Sequence, residues 1–260
     1  MNGRELMNRF NILCPFDMAV EWDNSGFLIG DPEREVKKAA LALDAAGSVI
    51  EEAIEKGADL IVTHHPLLFH PPKAIRTDEH LGGRIIKLIE NRISLIALHT
   101  NFDICVMAEL AADKLGLTNR DVLEMTGAGE NGAYGFGRIG LLPREMTLKE
   151  LAEHTKAQLA LDFVTVTGEE EKKVQKAAIS TGSGKSGIGA CLENGVQVLI
   201  TGDIDHHTAV DAREMGLCLI DAGHFGTEKM FAEYMAEYFR KEIPEVEAYV
   251  SRMEPPFIAV

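Results

Sequence analysis

The chain has 260 residues, of which 46% are hydrophobic and 26% charged, with 24 Gly and 9 Pro; this excludes a disordered, collagenous or coiled-coil protein and allows one large domain or two small ones. The formal net charge of -15 argues against a phosphate-backbone binder, which needs clustered cations, and leaves room only for a local pocket for a single nucleotide. Cys14, Cys105, Cys191 and Cys218 make no C-x-x-C pair, so a disulfide framework or a thiolate zinc site is not expected and a reducing cytoplasm is. The N-terminus carries Arg4 and Glu5 with no apolar stretch behind them, and no run is long and apolar enough to span a bilayer, so neither a signal peptide nor a membrane segment is expected.

From about Phe27 onward, short apolar runs alternate with longer helical patterns, which is the sign of βαβ units and a largely parallel sheet. The expected strands are residues 39–43, 60–63, 94–98, 177–180, 196–201 and 218–220, with helices between them. The run Gly57-Ala58-Asp59-Leu60-Ile61-Val62-Thr63 resembles Gly195-Val196-Gln197-Val198-Leu199-Ile200-Thr201 in pattern and place. Each then leads through a helix to a short strand and a His-x-x-x-acid element, His99 to Asp103 and His224 to Glu228. The fold expected is therefore α/β, built of two similar lobes facing one another. The competing reading is that any two βαβ units look alike at this level. The glycine-rich run Thr126-Gly127-Ala128-Gly129-Glu130-Asn131-Gly132 marks the expected boundary, giving lobes 1–126 and 127–260. The C-terminal helix would be free to pack back on the first lobe. Its stripe of Phe231, Tyr234, Met235, Tyr238 and Phe239 at helical spacing reads as core or subunit interface.

Three elements carry chemistry. Thr63-His64-His65-Pro66 follows an apolar strand, and open α/β sheets place ligands at the carboxyl ends of their strands. His99-Thr100-Asn101-Phe102-Asp103 also leaves a strand end and places a carboxylate within reach of the same crevice; its bland reading is a helix N-cap. Gly223-His224-Phe225-Gly226-Thr227-Glu228 repeats that arrangement. His64, His65, Asp103, His224 and Glu228 thus offer imidazoles and carboxylates for two divalent metal ions, three bonds to each if Glu228 bridges, with water completing the shells. Such open N/O sites are catalytic rather than structural, and the donor set suits Zn, Mn, Fe, Co or Ni. His99 reads as a supporting residue beside the ligands and the best candidate for proton transfer, with direct ligation as the alternative.

With Glu21-Trp22-Asp23-Asn24-Ser25-Gly26, Phe27-Leu28-Ile29-Gly30-Asp31, Asp44, Thr201-Gly202-Asp203 and Asp221-Ala222-Gly223, these motifs run along nearly the whole chain, which resembles the GTP cyclohydrolase 1 type 2 homologues, also called the Nif-three-like family. The resemblance implies a two-lobed α/β subunit with a dinuclear metal site in the cleft between lobes, the five ligands just named, and a ring-shaped homohexamer. It also implies a hydrolase for a nucleotide-like small-molecule substrate, with GTP opened to formate and dihydroneopterin triphosphate. The rival expectation is a non-catalytic metal-binding regulatory or scaffold protein.

A third reading comes from Ser180-Thr181-Gly182-Ser183-Gly184-Lys185-Ser186, which invites a P-loop assignment but has Ile179 where that motif requires glycine. Lys185 is kept as a candidate for a substrate phosphate at a helix start. Asp205-His206-His207 reads as surface or cap, His70, His80 and His154 as exposed, and Glu169-Glu170-Glu171-Lys172-Lys173 as a solvated turn. Trp22, Asp23 and Asn24 look structural, and the resemblance leaves open a place for them in the cleft lining.

Overall fold

The computed structural model describes residues 1–130 and 132–259; Asn131, in the expected boundary, and Val260, at the expected end of the second lobe, lie outside the described residues. In chain order the strands are β1 (Gly26–Ile29), β2 (Lys38–Ala42), β3 (Leu60–Thr63), β4 (Ser94–Ala97), β5 (Thr118–Gly129), β6 (Gly132–Thr147), β7 (Thr165–Thr167), β8 (Lys173–Ile179), β9 (Val198–Thr201), β10 (Cys218–Asp221) and β11 (Glu247–Val250). The α-helices are α1 (Gly3–Leu13), α2 (Gly47–Glu55), α3 (His80–Glu90), α4 (Thr100–Phe102), α5 (Ala108–Leu115), α6 (Leu148–Leu159), α7 (Ile188–Glu193), α8 (His206–Glu214), α9 (His224–Glu228) and α10 (Met230–Glu242). Each strand expected from the apolar runs is present, 60–63 at its expected bounds and the others shifted by a few residues at one or both ends.

The chain divides into two units: Met1–Phe102 with Lys229–Glu254, and Asp103–Glu228 with Pro255–Val260. This division differs from a single cut at 126/127. The glycines at 127 and 129 sit inside β5, which pairs antiparallel with β6 from Thr118↔Leu141 to Gly129↔Gly132. Glycine there serves close strand contact instead of a linker: a Cβ on Gly127 would meet the Tyr134 hydroxyl. α10, in turn, belongs to the first unit.

The first unit holds a five-stranded sheet in the order β1-β4-β3-β2-β11. β11, β2, β3 and β4 run parallel and β1 runs antiparallel to β4. β3 reads Leu60-Ile61-Val62-Thr63 and is buried at every position, as expected of a central parallel strand covered on both faces. Ile61 and Leu95 pack with Val49, Ile50 and Ala53 of α2 and with Ile85 and Leu88 of α3 in one core cluster. In α10 the buried residues Phe231, Met235 and Phe239 belong to the core, Phe239 lying 5.9 Å from the ring of Phe10, while the Tyr238 hydroxyl donates to the Arg9 carbonyl at 3.0 Å. The aromatic stripe is thus core packing.

The second unit holds a six-stranded sheet in the order β5-β6-β8-β9-β10-β7. β8, β9 and β10 are parallel, and β7 closes the edge antiparallel to β10. Thr147 and Glu150 form a reciprocal cap at the start of α6. Ala178, Leu199 and Leu219 form the sheet's share of a core cluster completed by Cys191 of α7 and Ala212 of α8.

Setting β1-β4-β3-β2 beside β7-β10-β9-β8 shows the repeat. In each, a helix ends at a glycine with φ of 63°, Gly57 before β3 and Gly195 before β9. This left-handed conformation suits glycine at a helix C-terminus and aims the chain into the next strand. Among the described residues no helix is long and apolar enough to cross a membrane.

Candidate metal centre

In the first unit, β3 delivers His64 and His65. The Thr63 hydroxyl donates to the His65 carbonyl at 2.8 Å and bends the chain where the strand ends. His64 is fully buried against Phe102 and Phe231, with ring centroids 6.2 and 5.3 Å away. Its Nδ1 lies 2.8 Å from the Leu98 carbonyl oxygen. A carbonyl only accepts, so Nδ1 carries the proton and Nε2 of the neutral ring carries the lone pair. The Nδ1 of His65 is held in the same way by Asp44, at 2.9 Å, and that of His99 by Asp23, at 2.7 Å. A ring nitrogen from each of His64, His65 and His99 lies within 4.8 Å of the others, a grouping suited to a metal ion.

Asp23 is the anchor of this arrangement, and its side chain has no exposed surface. Besides His99 Nδ1 it accepts from the Thr100 backbone N–H at 3.0 Å, the Thr100 hydroxyl at 2.6 Å, the Ser25 hydroxyl at 2.7 Å and the Asn24 backbone N–H at 2.7 Å. Burial alone would raise its pKa, but the hydrogen bonds from His99, Thr100 and Ser25 and the nearby His99 charge outweigh it and hold the carboxyl well below the usual carboxylate range.

In the second unit, His224 and Glu228 stand one helical turn apart on α9, with His224 Nε2 3.0 Å from Glu228 Oε2. His224 Nδ1 lies 2.7 Å from Asp203, the second residue after β9. Burial disfavours the imidazolium, yet the two carboxylates, Glu228 foremost, push His224 up to about 9. A divalent cation seated on this pair would therefore displace a proton. Gly182, at φ 65°, makes room for the acid: a Cβ there would clash with Glu228 Oε1.

The expected residues thus assemble as His64, His65 and His99 in one unit and His224 with Glu228 in the other. Asp103 is half-buried and begins a π-helical turn, Asp103–Met107, between α4 and α5, so it is not an N-cap; π turns recur at functional sites. Lys185 is exposed and pairs with Asp205 at 3.4 Å. The P-loop reading fails on hydrogen bonding. The backbone N–H groups of Gly182 and Gly184, which would cradle phosphate, instead donate to the hydroxyls of Thr227 at 2.9 Å and Thr201 at 2.8 Å.

Asp205 caps α8 through the Thr208 N–H at 3.0 Å, and His206 and His207 are exposed. His70 and His80 are exposed, whereas His154 is half-buried with Nε2 3.2 Å from the Leu115 carbonyl, because it lies on the side of α6 that faces the end of α5. The residues that orient the imidazoles, Asp23, Asp44 and Asp203, were visible only as acids within motifs. Their one shared signal is an acid close to a strand or motif end, which is too common to single them out.

Two repeated α/β units in which His64, His65, His99 and His224 have Nδ1 fixed by an oxygen describe an α/β protein with side-chain groups that could hold a metal ion. The chain belongs to the Duf34/NIF3 (NGG1p interacting factor 3) family, whose model matches residues 1–256. It is 37% identical over 227 residues to a GTP cyclohydrolase 1 type 2 homolog of Clostridium acetobutylicum, covering 86% of this chain and 84% of that one. A second such homolog, from Clostridium perfringens, is 34% identical over 255 residues, covering 97% of each. Among solved structures, the Bacillus cereus protein related to NIF3 superposes with a TM-score of 0.94 at 27% identity, covering 100% of this chain and 99% of that one.

Proposed function

We propose that the chain is a metal-dependent hydrolase for a nucleotide-like substrate, with the opening of GTP to formate and dihydroneopterin triphosphate as its reaction. The observation that carries this reading is the common orientation of four histidines: Leu98, Asp44, Asp23 and Asp203 each accept a hydrogen bond from an Nδ1, which leaves Nε2 of His64, His65, His99 and His224 as the atom for a metal once any proton on it has been displaced. His64, His65, Asp103, His224 and Glu228 would hold two divalent ions of the Zn, Mn, Fe, Co or Ni type. Divalent ions held by these residues would supply Lewis acidity, the chemistry that makes water a nucleophile near neutral pH.

The rest falls to the protein's own residues. His99, fixed by Asp23 beside His64 and His65, is placed to hold or pass a proton at Nε2. Lys185 can turn from Asp205 to a substrate phosphate at little cost, because the pair is exposed and screened by solvent. The four cysteines, which make no C-x-x-C pair in the sequence, suit a reducing cytoplasm. By family resemblance we also propose a toroidal homohexamer.

Elemental analysis of the native protein together with a formate-release assay on GTP tests the proposal. Two bound ions per chain with GTP-dependent formate are expected, and His99→Ala should keep both ions while losing turnover. Bound ions with no hydrolysis of GTP, other nucleotides or phosphodiesters would replace the hydrolase with a non-catalytic metal-binding role in regulation or scaffolding.

A further inference from the structure

The single tryptophan of the chain, Trp22, is 62% exposed, and Phe69 beside it is 43% exposed. Their ring centroids are 5.9 Å apart, and those of Trp22 and Phe69 lie 6.1 and 6.2 Å from His99. Scattered exposed aromatics need no explanation, but these two are paired and stand at the candidate centre. They are also held still from beneath. Buried Asp23 fixes the loop that carries Trp22 through five hydrogen bonds, and the Asn24 side-chain N–H donates to the Leu68 carbonyl at 2.5 Å, tying the Trp22 loop to the Phe69 loop. The tied loops thus present two exposed aromatic side chains, tilted 57° to one another, as a preorganised surface of small-molecule scale.

We propose that Trp22 and Phe69 form a stacking platform for the base of a nucleotide substrate. A planar heteroaromatic ring is the ligand that can lie flat on the Trp22 indole while the Phe69 ring, tilted 57° from it, meets its edge, and base–aromatic stacking tolerates differences in ring substituents. His99 touches both aromatics and also lies beside His64 and His65, so a base held here sits next to the residues assigned to the chemistry. The inference rests on the nucleotide reading of the centre and names the part of the substrate that this surface takes.

Because Trp22 is the chain's sole tryptophan, its fluorescence reports on its own site. The native metal-loaded protein is titrated with GTP, with guanosine, adenosine, cytidine and uridine, and with inorganic tripolyphosphate. GTP and at least one nucleoside should quench the emission saturably, while tripolyphosphate leaves it unchanged. Calorimetry should show GTP binding weakened by about 10- to 100-fold in Trp22→Ala, with Trp22→Phe close to the native protein. Phe69→Ala should weaken the nucleoside's quenching by about 10-fold. Both side chains are exposed, so the variants should fold, and circular dichroism checks this.

Quenching by no base-bearing ligand, an equal response to tripolyphosphate, or native GTP affinity in Trp22→Ala would each overturn the platform. Failure here is separable from failure of the hydrolase. Formate release without quenching removes the platform alone, and quenching without formate release removes the hydrolase alone.

Discussion

The sheets of the two units carry the same device at the entrance to their central strands. In the first, the Asp59 carboxylate accepts from the backbone N–H groups of Lys37 and Lys38 at 2.9 and 3.1 Å; in the second, the Gln197 side-chain oxygen accepts from those of Gln175 and Lys176 at 2.8 and 3.0 Å. The correspondence continues to the far ends, where the Leu98 N–H donates to the Thr63 carbonyl and the Ala222 N–H to that of Thr201. Beyond those residues the His-x-x-x-acid spacing recurs, His99 to Asp103 and His224 to Glu228, but the rest diverges. β3 runs into two histidines, whereas β9 runs into Gly202 and Asp203, and the second unit supplies one imidazole beside the buried acid Glu228. Strand packing repeats because parallel β-α-β geometry has few solutions, while residues past the strand ends make no ladder bonds and are available to diverge.

The comparison can be tested first at the acids that orient the imidazoles. Asp44→Asn in the first unit and Asp203→Asn in the second should each lower metal affinity by about 10- to 100-fold with the fold intact, as measured by chelator competition. A loss confined to one variant would break the proposed equivalence of roles. The entrance device offers a smaller effect: Asp59→Ala and Gln197→Ala each leave two backbone donors without their side-chain acceptor. Each should cost about 1–2 kcal/mol in urea denaturation, and similar values for the two would sharpen the repeat.

The smallest effect concerns pH. His224 is raised from 6.5 to about 9, so the stability its imidazolium contributes is complete below about pH 6.5 and is lost as pH climbs through about 9. Chelator-treated protein should therefore show a falling denaturation midpoint across that window, and His224→Gln should flatten the fall. Bound metal should also flatten it, because the cation takes the proton's place.

Much of this molecule was legible in the linear chain. Leu60-Ile61-Val62-Thr63 and Val198-Leu199-Ile200-Thr201 announce buried parallel strands by their unbroken apolar character, and His64, His65, Asp103, His224 and Glu228, with His99, stand out as candidates because their motifs follow strand ends. The glycine run at 126–132 misled, because glycine marks both a flexible joint and close strand contact. Only the neighbour across the hairpin, Tyr134 against Gly127, tells them apart.

Local pattern determined the strand–helix alternation, the internal repeat and the set of histidines and acids, because hydrophobic periodicity and strand-end chemistry are properties of neighbouring residues. The tertiary structure alone decided that residues 229–254 return to the first unit, that Asp23 and Asp44 clamp His99 and His65, and that the threonines at 201 and 227 occupy the N–H groups a phosphate would have needed. Those outcomes depend on hydrogen bonds between side chains and loops that are distant in sequence. Such bonds have direction and a short reach, and they form only after burial of the apolar strands has brought the chain together.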